Sequence, residues 1–190
     1  ATAGRVSGTS YVGGIVGDAY SASSSSSYKP IVQNCANSAL VSGANVYVGG
    51  IVGYAYYAIV RYNVNGGCIF GNSNYIGGII GYIAKSTSVS YCLNAGTVNT
   101  GLNEGGSIVG NGGTTTTTYC YYDSQFSEKK GIDGTDEADK YEGKLTSEIT
   151  GSSPAGLSGA NWSSDYWAFN AGFFPIPKPL ESSNFAKLAS

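Results

Sequence analysis

Residues 11–17 read YVGGIVG, and the phrase returns as YVGGIVG at 47–53, as YIGGIIG at 75–81 and as GGSIVG at 105–110. The closing glycines Gly17, Gly53, Gly81 and Gly110 are spaced 36, 28 and 29 residues apart, a period that belongs to solenoids, propellers and arrays. A unit this short cannot bury its own apolar face, so it must stack on its neighbours. A second block follows each first one: CANSALVSG at 35–43, NVNGGCIFG at 63–71 and CLNAGTVNT at 92–100. Asn37, Asn65 and Asn94 correspond, as do Val41, Ile69 and Val98. The repeat is therefore bipartite.

Within a first block, Tyr11, Gly13 and Ile15 alternate with Val12, Gly14 and Val16, the period of two expected of a strand. Both faces carry aliphatic residues, so periodicity leaves the inward face open. The doubled glycine marks a bulge, a bend or the close approach of another backbone. Asparagine tolerates left-handed backbone angles at turns and can bond along a stack of equivalent positions, which predicts a ladder through Asn37, Asn65 and Asn94. The alternative is three independent turn asparagines. With 29 glycines, 16 tyrosines, no methionine and no histidine, the composition favours strands joined by tight turns over helices. The expected fold is all-β: a β-solenoid, parallel β-helix-like, of about four repeats over residues 1–122, followed by an irregular aromatic C-terminal cap over 123–190.

Several segments depart from the repeat. SASSSSSYKP at 21–30 lengthens the first unit and is expected to form a loop on one side, and TTTTT at 114–118 reads as an extended strand or edge. After Asp123 the periodicity ends. KLTSEIT at 144–150 suits a short helix starting near Thr146, and Trp162, Trp167, Phe169, Phe173 and Phe174 gather where a solenoid needs its open end covered. Residues 181–190 are expected to fray. TAGRVSG at 2–8 aligns with NSALVSG at 37–43, so the sequence starts midway through a repeat and further repeats or domains are expected upstream.

Charge restricts the chemistry. Residues 1–122 hold only Asp18 and Glu104 against Arg5, Lys29, Arg61 and Lys85, whereas ten acids and six bases follow. Neither part has the clustered cations that nucleic acid demands. No apolar run reaches the length of a membrane span. Without histidine there is no Ser-His-Asp triad, Cys-His pair or HExxH zinc site, so no catalytic residue and no cofactor is assigned. In GIDGTDEAD at 131–139, the oxygens of Asp133, Asp136, Glu137 and Asp139 suit calcium, but EF-hand spacing is lacking and a solvated acidic loop is the alternative. Cys35, Cys92 and Cys120 occupy equivalent positions, with Asn63 filling that place in the second repeat, while Cys68 lies elsewhere in its unit. Small buried core residues with free thiols are expected, with a disulfide framework as the alternative.

The double glycine, the two aliphatic residues, the glycine and the later N-x-(A/G)-x-V segment resemble the GLUG-motif repeats of bacterial surface and secreted proteins. YCYYD at 119–123, KLTSEI at 144–149 and FFPIP at 173–177 are similar to the closing segment of such arrays, so the resemblance covers roughly residues 1–177. It implies an extracellular or cell-surface, adhesin-like, structural role in bacteria, or an accessory region of a large surface enzyme, and it transfers no catalytic residues. The residues themselves offer one ligand candidate. Fourteen of the sixteen tyrosines precede residue 123, with Tyr54, Tyr56, Tyr57 and Tyr62 clustered in the second repeat. Such rings stack on sugars or anchor protein partners, or else pack against each other across strands. The expected function is a non-catalytic module for adhesion or spacing, its partner a host or bacterial surface protein or glycan. A carbohydrate-binding module using the tyrosine face is the alternative.

Overall fold

The computed structural model describes residues 4–72, 75–101, 105–113 and 115–182. The chain winds as a parallel β-solenoid in which each turn passes through five short sheets in a fixed order. The first sheet stacks Arg5–Gly8, Leu40–Gly43, Ile69–Gly71 and Val98–Thr100. Val12–Gly13, Val48–Gly49 and Ile76–Gly77 form the second, which a single bridge from Gly77 to Gly106 extends. In the third lie Val16–Tyr20, Val52–Tyr56, Ile80–Lys85 and Val109–Gly112. The fourth contains Ile31–Gln33, Ile59–Arg61, Thr87–Ser90 and Thr115–Thr118. The fifth stacks Ala36–Asn37, Val64–Asn65, Leu93–Asn94, Cys120–Asp123 and Tyr141–Lys144.

Each YVGGIVG block contributes two strands rather than one, because the chain bends at the glycine pair from the second sheet into the third. The bend restarts the alternation. Val48 and Ile76 therefore face the first sheet in one core with Val41 and Ile69, while Ile51 with Val52 and Ile79 with Ile80 fill a second core against Val60, Val89 and Cys92. The glycines are dictated by what they touch. A Cβ on Gly50 would lie 2.1 Å from the Gly78 carbonyl oxygen and 2.5 Å from Cγ of Asn65, and Gly14 and Gly78 meet the same obstacles in their own turns.

The predicted asparagine ladder is present and buried. Asn37 Nδ2 donates to Asn65 Oδ1 and Asn65 Nδ2 to Asn94 Oδ1, both at 2.8 Å. Asn65 Nδ2 also donates to the Gly67 carbonyl at 3.1 Å, and its Oδ1 accepts from Gly67 N–H at 3.3 Å. Two donors and two acceptor sites exhaust a carboxamide, so this side chain is satisfied with no water. The ladder stops at the fourth turn, where Tyr122 pairs with Asn94 and Ser107 follows the position facing Gly77. Asn63 replaces a cysteine in the adjoining column and serves a related purpose: its carboxamide accepts from Cys35 N–H at 2.9 Å and donates to the Val32 carbonyl at 3.0 Å.

The corner between the fourth and fifth sheets is sharp. Asn34, Tyr62, Tyr91 and Tyr119 all adopt φ of 50–56° there, a region that costs a bulky residue roughly 1–2 kcal/mol. Ring stacking offsets the strain: Tyr62 lies 5.8 Å from Tyr91, and Tyr91 lies 5.3 Å from Tyr119, each pair 23° from parallel. The insertion at 21–30 sits between the third and fourth sheets and holds one short 3-10 turn, Ser26–Tyr28.

Residues beyond Asp123 do two things that the expected end cap does not describe. First, winding continues: Tyr141–Lys144 adds a strand to the fifth sheet, and the Gly131 carbonyl accepts from Ile108 and Val109 N–H at 2.8 and 3.1 Å. Second, after the helix Thr146–Ile149, the aromatic segment lies along the side of the solenoid. Ile149, Trp162, Trp167, Phe174 and Ile176 pack on Ala36, Val64, Leu93 and Tyr121. These are the outward residues of the fifth sheet, alternate to the buried asparagines, and an apolar stripe of that length has to be covered. Trp162 Nε1 donates to the Tyr119 carbonyl at 3.0 Å, and Asn161 Nδ2 to the Tyr62 hydroxyl at 2.9 Å. Residues 183–190, where fraying was expected, lie outside the described residues.

Ile79 is fully buried, whereas its counterpart in the end turn, Ile15, is 46% exposed. Urea denaturation should therefore show that Ile79→Ala costs about 2–5 kcal/mol and Ile15→Ala less than about 1 kcal/mol. Equal costs at the two positions would mean that stacking does not set the burial.

Candidate functional site

On the third sheet the buried Ala55 separates Tyr54 and Tyr56, so both rings project outward. Register places Asp18, Tyr54, Tyr82 and Asn111 in one column along the stacking axis. A second column, Tyr11, Tyr47 and Tyr75, precedes the strands of the second sheet, with Tyr11 and Tyr47 held at φ of 56° and 63°. The columns interdigitate. Tyr47 lies 5.0 Å from Tyr11, 5.3 Å from Tyr54, 5.3 Å from Tyr75 and 5.1 Å from Tyr82. Tyr54 is 5.4 Å from Tyr11 and 5.9 Å from Tyr82, and Tyr75 is 5.0 Å from Tyr82. Interplanar angles run from 30° to 75°, so the pairs are tilted or edge-to-face rather than flat sandwiches, as the aromatic quadrupole prefers.

The four tyrosines singled out from sequence do not form one site. Tyr54 belongs to this ladder. Tyr56 packs at 5.0 Å on Tyr20 and edge-on at 4.9 Å on Tyr57, a smaller cluster. Tyr62 is 7% exposed, stacked between Tyr91 and Tyr166 at the opposite corner, so the proposed tyrosine face does not include it. Sequence reading passed over Tyr11, Tyr47, Tyr75 and Tyr82, although the repeat alignment carried the signal: a tyrosine opens three successive first blocks, and Tyr82 repeats Tyr54.

Crowding changes these phenols. Tyr47 is pushed up by burial first and then by the neighbouring Tyr11, Tyr82 and Tyr75; Tyr54 is raised by burial, then by Tyr11, Tyr47 and Asp18. At neutral pH Tyr47 and Tyr54 are therefore uncharged hydroxyls, able to donate and accept hydrogen bonds. Its rings largely face each other. Tyr11, at 46% exposure, offers the most open ring.

The acidic residues weighed for calcium are each engaged in building the loop. Asp136 accepts from the Tyr122 hydroxyl at 3.2 Å and from Gly131 N–H at 2.8 Å. Asp133 accepts from Asn111 Nδ2 at 3.1 Å, Asp139 accepts from the Ser158 hydroxyl at 3.0 Å, and Glu137 pairs with Lys140. Among the described residues no three of His, Cys, Asp and Glu converge. Asp18 is exposed on the third sheet, and Glu104 lies outside the described residues. The four thiols are free, with Cys92 and Cys120 buried and Cys68 exposed. Burial, and then the adjacent Cys92, raises the Cys120 thiol, which keeps it protonated and unreactive. Two shallow clefts, of about 300 and 350 Å³, are lined around Thr97, Asn99, Phe126 and Lys129, and around Thr116, Glu137 and Tyr141; neither touches the ladder.

Comparison with protein-family models, with curated proteins and with solved structures finds no match for this chain.

Tyr122 gives the clearest pH dependence. Burial and the Asp136 carboxylate hold its proton far more tightly than in a free phenol, and Tyr91 and Tyr121 are also raised, chiefly by burial. A raised folded-state value stabilises the fold fully below the unfolded value near pH 10, and the contribution is lost as pH rises from there towards the folded value. Urea midpoints should stay level up to about pH 9 and fall above about pH 10. Tyr122→Phe should start lower, having lost the hydroxyl bond to Asp136, but fall less steeply; parallel curves would remove Tyr122 as a cause.

Proposed function

We propose that this chain is a non-catalytic repeat module of a bacterial cell-surface or secreted protein, acting as a structural spacer or in adhesion. The observation that carries the reading is the division of labour between its two polar and aromatic ladders. Inward amides are spent on turn-to-turn bonding, as in the four bonds of Asn65. Outward tyrosines repeat along the same axis and line one side. Such a body is stiff, lengthens by adding turns, and presents the same contact at each level, which suits weak multivalent attachment. The motif resemblance to GLUG repeats supports the extracellular setting, and the partner on this reading is a surface protein or glycan of host or bacterium. Assignment as an accessory region of a large surface enzyme rests on that resemblance alone.

A carbohydrate-binding role is the second reading, and the partly open rings of Tyr11 and Tyr54 favour it, since apolar sugar faces pack on tyrosine. Two assays separate the readings: a glycan array and adhesion of beads coated with the chain. The spacer or protein-adhesion reading predicts no saturable sugar binding. Saturable binding that Tyr11→Ala with Tyr54→Ala abolishes would replace it with the carbohydrate module.

A further inference from the structure

The tyrosine ladder places phenols from three different turns within coupling distance. Tyr47 and Tyr82 are 35 residues apart in the chain, yet their ring centroids are 5.1 Å apart, and Tyr47 also meets Tyr75 at 5.3 Å while Tyr54 meets Tyr82 at 5.9 Å. No disulfide joins the turns, since every cysteine is free. We propose that this ladder is a site of oxidative dityrosine cross-linking that ties successive turns of the solenoid together covalently.

The chemistry balances with a named oxidant. Two phenols each lose one electron and one proton to give two phenoxyl radicals. Their ring carbons ortho to oxygen form one C–C bond, and the hydrogen on each of those carbons moves to oxygen and restores aromaticity. The two electrons and two protons reduce one hydrogen peroxide to two waters through a haem peroxidase, the class of extracellular oxidant required. The geometry favours coupling inside the molecule. With neighbouring centroids no more than 5.9 Å apart, a first radical is shared along the ladder and the second forms beside it.

Competing sinks are few. The chain has no methionine, Trp162 and Trp167 are 8% and 0% exposed, and Cys92 and Cys120 are buried. Cys68 is the exposed thiol that an oxidant would reach first. The other aromatic column, Tyr62, Tyr91 and Tyr119, lies against Trp162 and Tyr166 and is shielded from one side.

The sequence makes the product easy to identify. Trypsin cleaves after Arg5, Arg61 and Lys85, while Lys29 is followed by Pro30 and resists, so Tyr47 and Tyr54 leave in peptide 6–61 and Tyr75 and Tyr82 in peptide 62–85. The folded chain, its accessible thiols alkylated, is treated at low concentration with horseradish peroxidase and hydrogen peroxide and then digested. The proposal expects dityrosine fluorescence in monomeric protein and a 6–61/62–85 peptide pair lighter by two hydrogens than the sum of its parts. Tyr47→Phe with Tyr54→Phe, which keeps the rings but removes the phenols, should lose that pair, while Tyr20→Phe with Tyr28→Phe should retain it. Oxidation in urea should lose it as well. Fluorescence confined to intermolecular dimers, as through Tyr28 at 74% exposure, would overturn the proposal, as would a peptide pair that persists in the Tyr47/Tyr54 variant or in urea.

Discussion

A buried carboxamide that bonds along the stacking axis is the interaction on which this fold depends. Asn65 sits at 0% exposure with all four of its bonds made within protein, two to the turns on either side and two to the backbone of its own corner. An unsatisfied buried polar group costs about 1–3 kcal/mol, so a turn that slips out of register strands several such groups at once. The same side chain explains the repeated glycine opposite. Gly50 has no room for a Cβ between the Asn65 amide and the Gly78 carbonyl. Amide and glycine thus determine each other, and the bend at the glycine pair determines in turn which aliphatic residues enter which of the two cores.

The ends of the ladder account for the asymmetry of the molecule. In the fourth turn Tyr122 takes the place of asparagine, its hydroxyl donating to Asp136. Ser107 there bonds Ser127 at 2.6 Å and also donates to the Lys129 carbonyl, contacts with the winding that follows Asp123 rather than with another repeat. The periodic bonding gives way to specific bonding, and Tyr141–Lys144 ends the fifth sheet as its edge strand, paired with Cys120–Asp123. At the first turn Ile15 remains 46% exposed, while Ile51, Ile79 and Ile108 are fully buried.

Much of this was legible in the sequence because the stack converts sequence spacing directly into neighbourhood. Residues 28 or 29 apart, such as Asn37, Asn65 and Asn94, are in contact, so the all-β solenoid and its amide ladder follow from alignment of the chain with itself. What alignment does not convey is direction. Tyr54 and Tyr62 are eight residues apart and chemically identical, but one lies on the third sheet and the other at a left-handed corner beneath Tyr166. The lateral course of the aromatic segment was likewise hidden, since covering the fifth sheet and covering the open end require the same apolar composition. The difference lies in the outward stripe of Ala36, Val64, Leu93 and Tyr121, visible only once Asn37, Asn65 and Asn94 are known to point inward.

The central claim, that the inward amide ladder is the closed and continuous spine of the fold, is tested most directly by native-state hydrogen exchange of the asparagine side chains followed by NMR. The account predicts that the carboxamide protons of Asn65 and Asn94 exchange as slowly as the most protected backbone amides of the array, and far more slowly than those of the exposed Asn99. If Asn65 and Asn94 instead exchange at the rate of Asn99 while the surrounding backbone stays protected, the sheets hold without the ladder and the account is wrong.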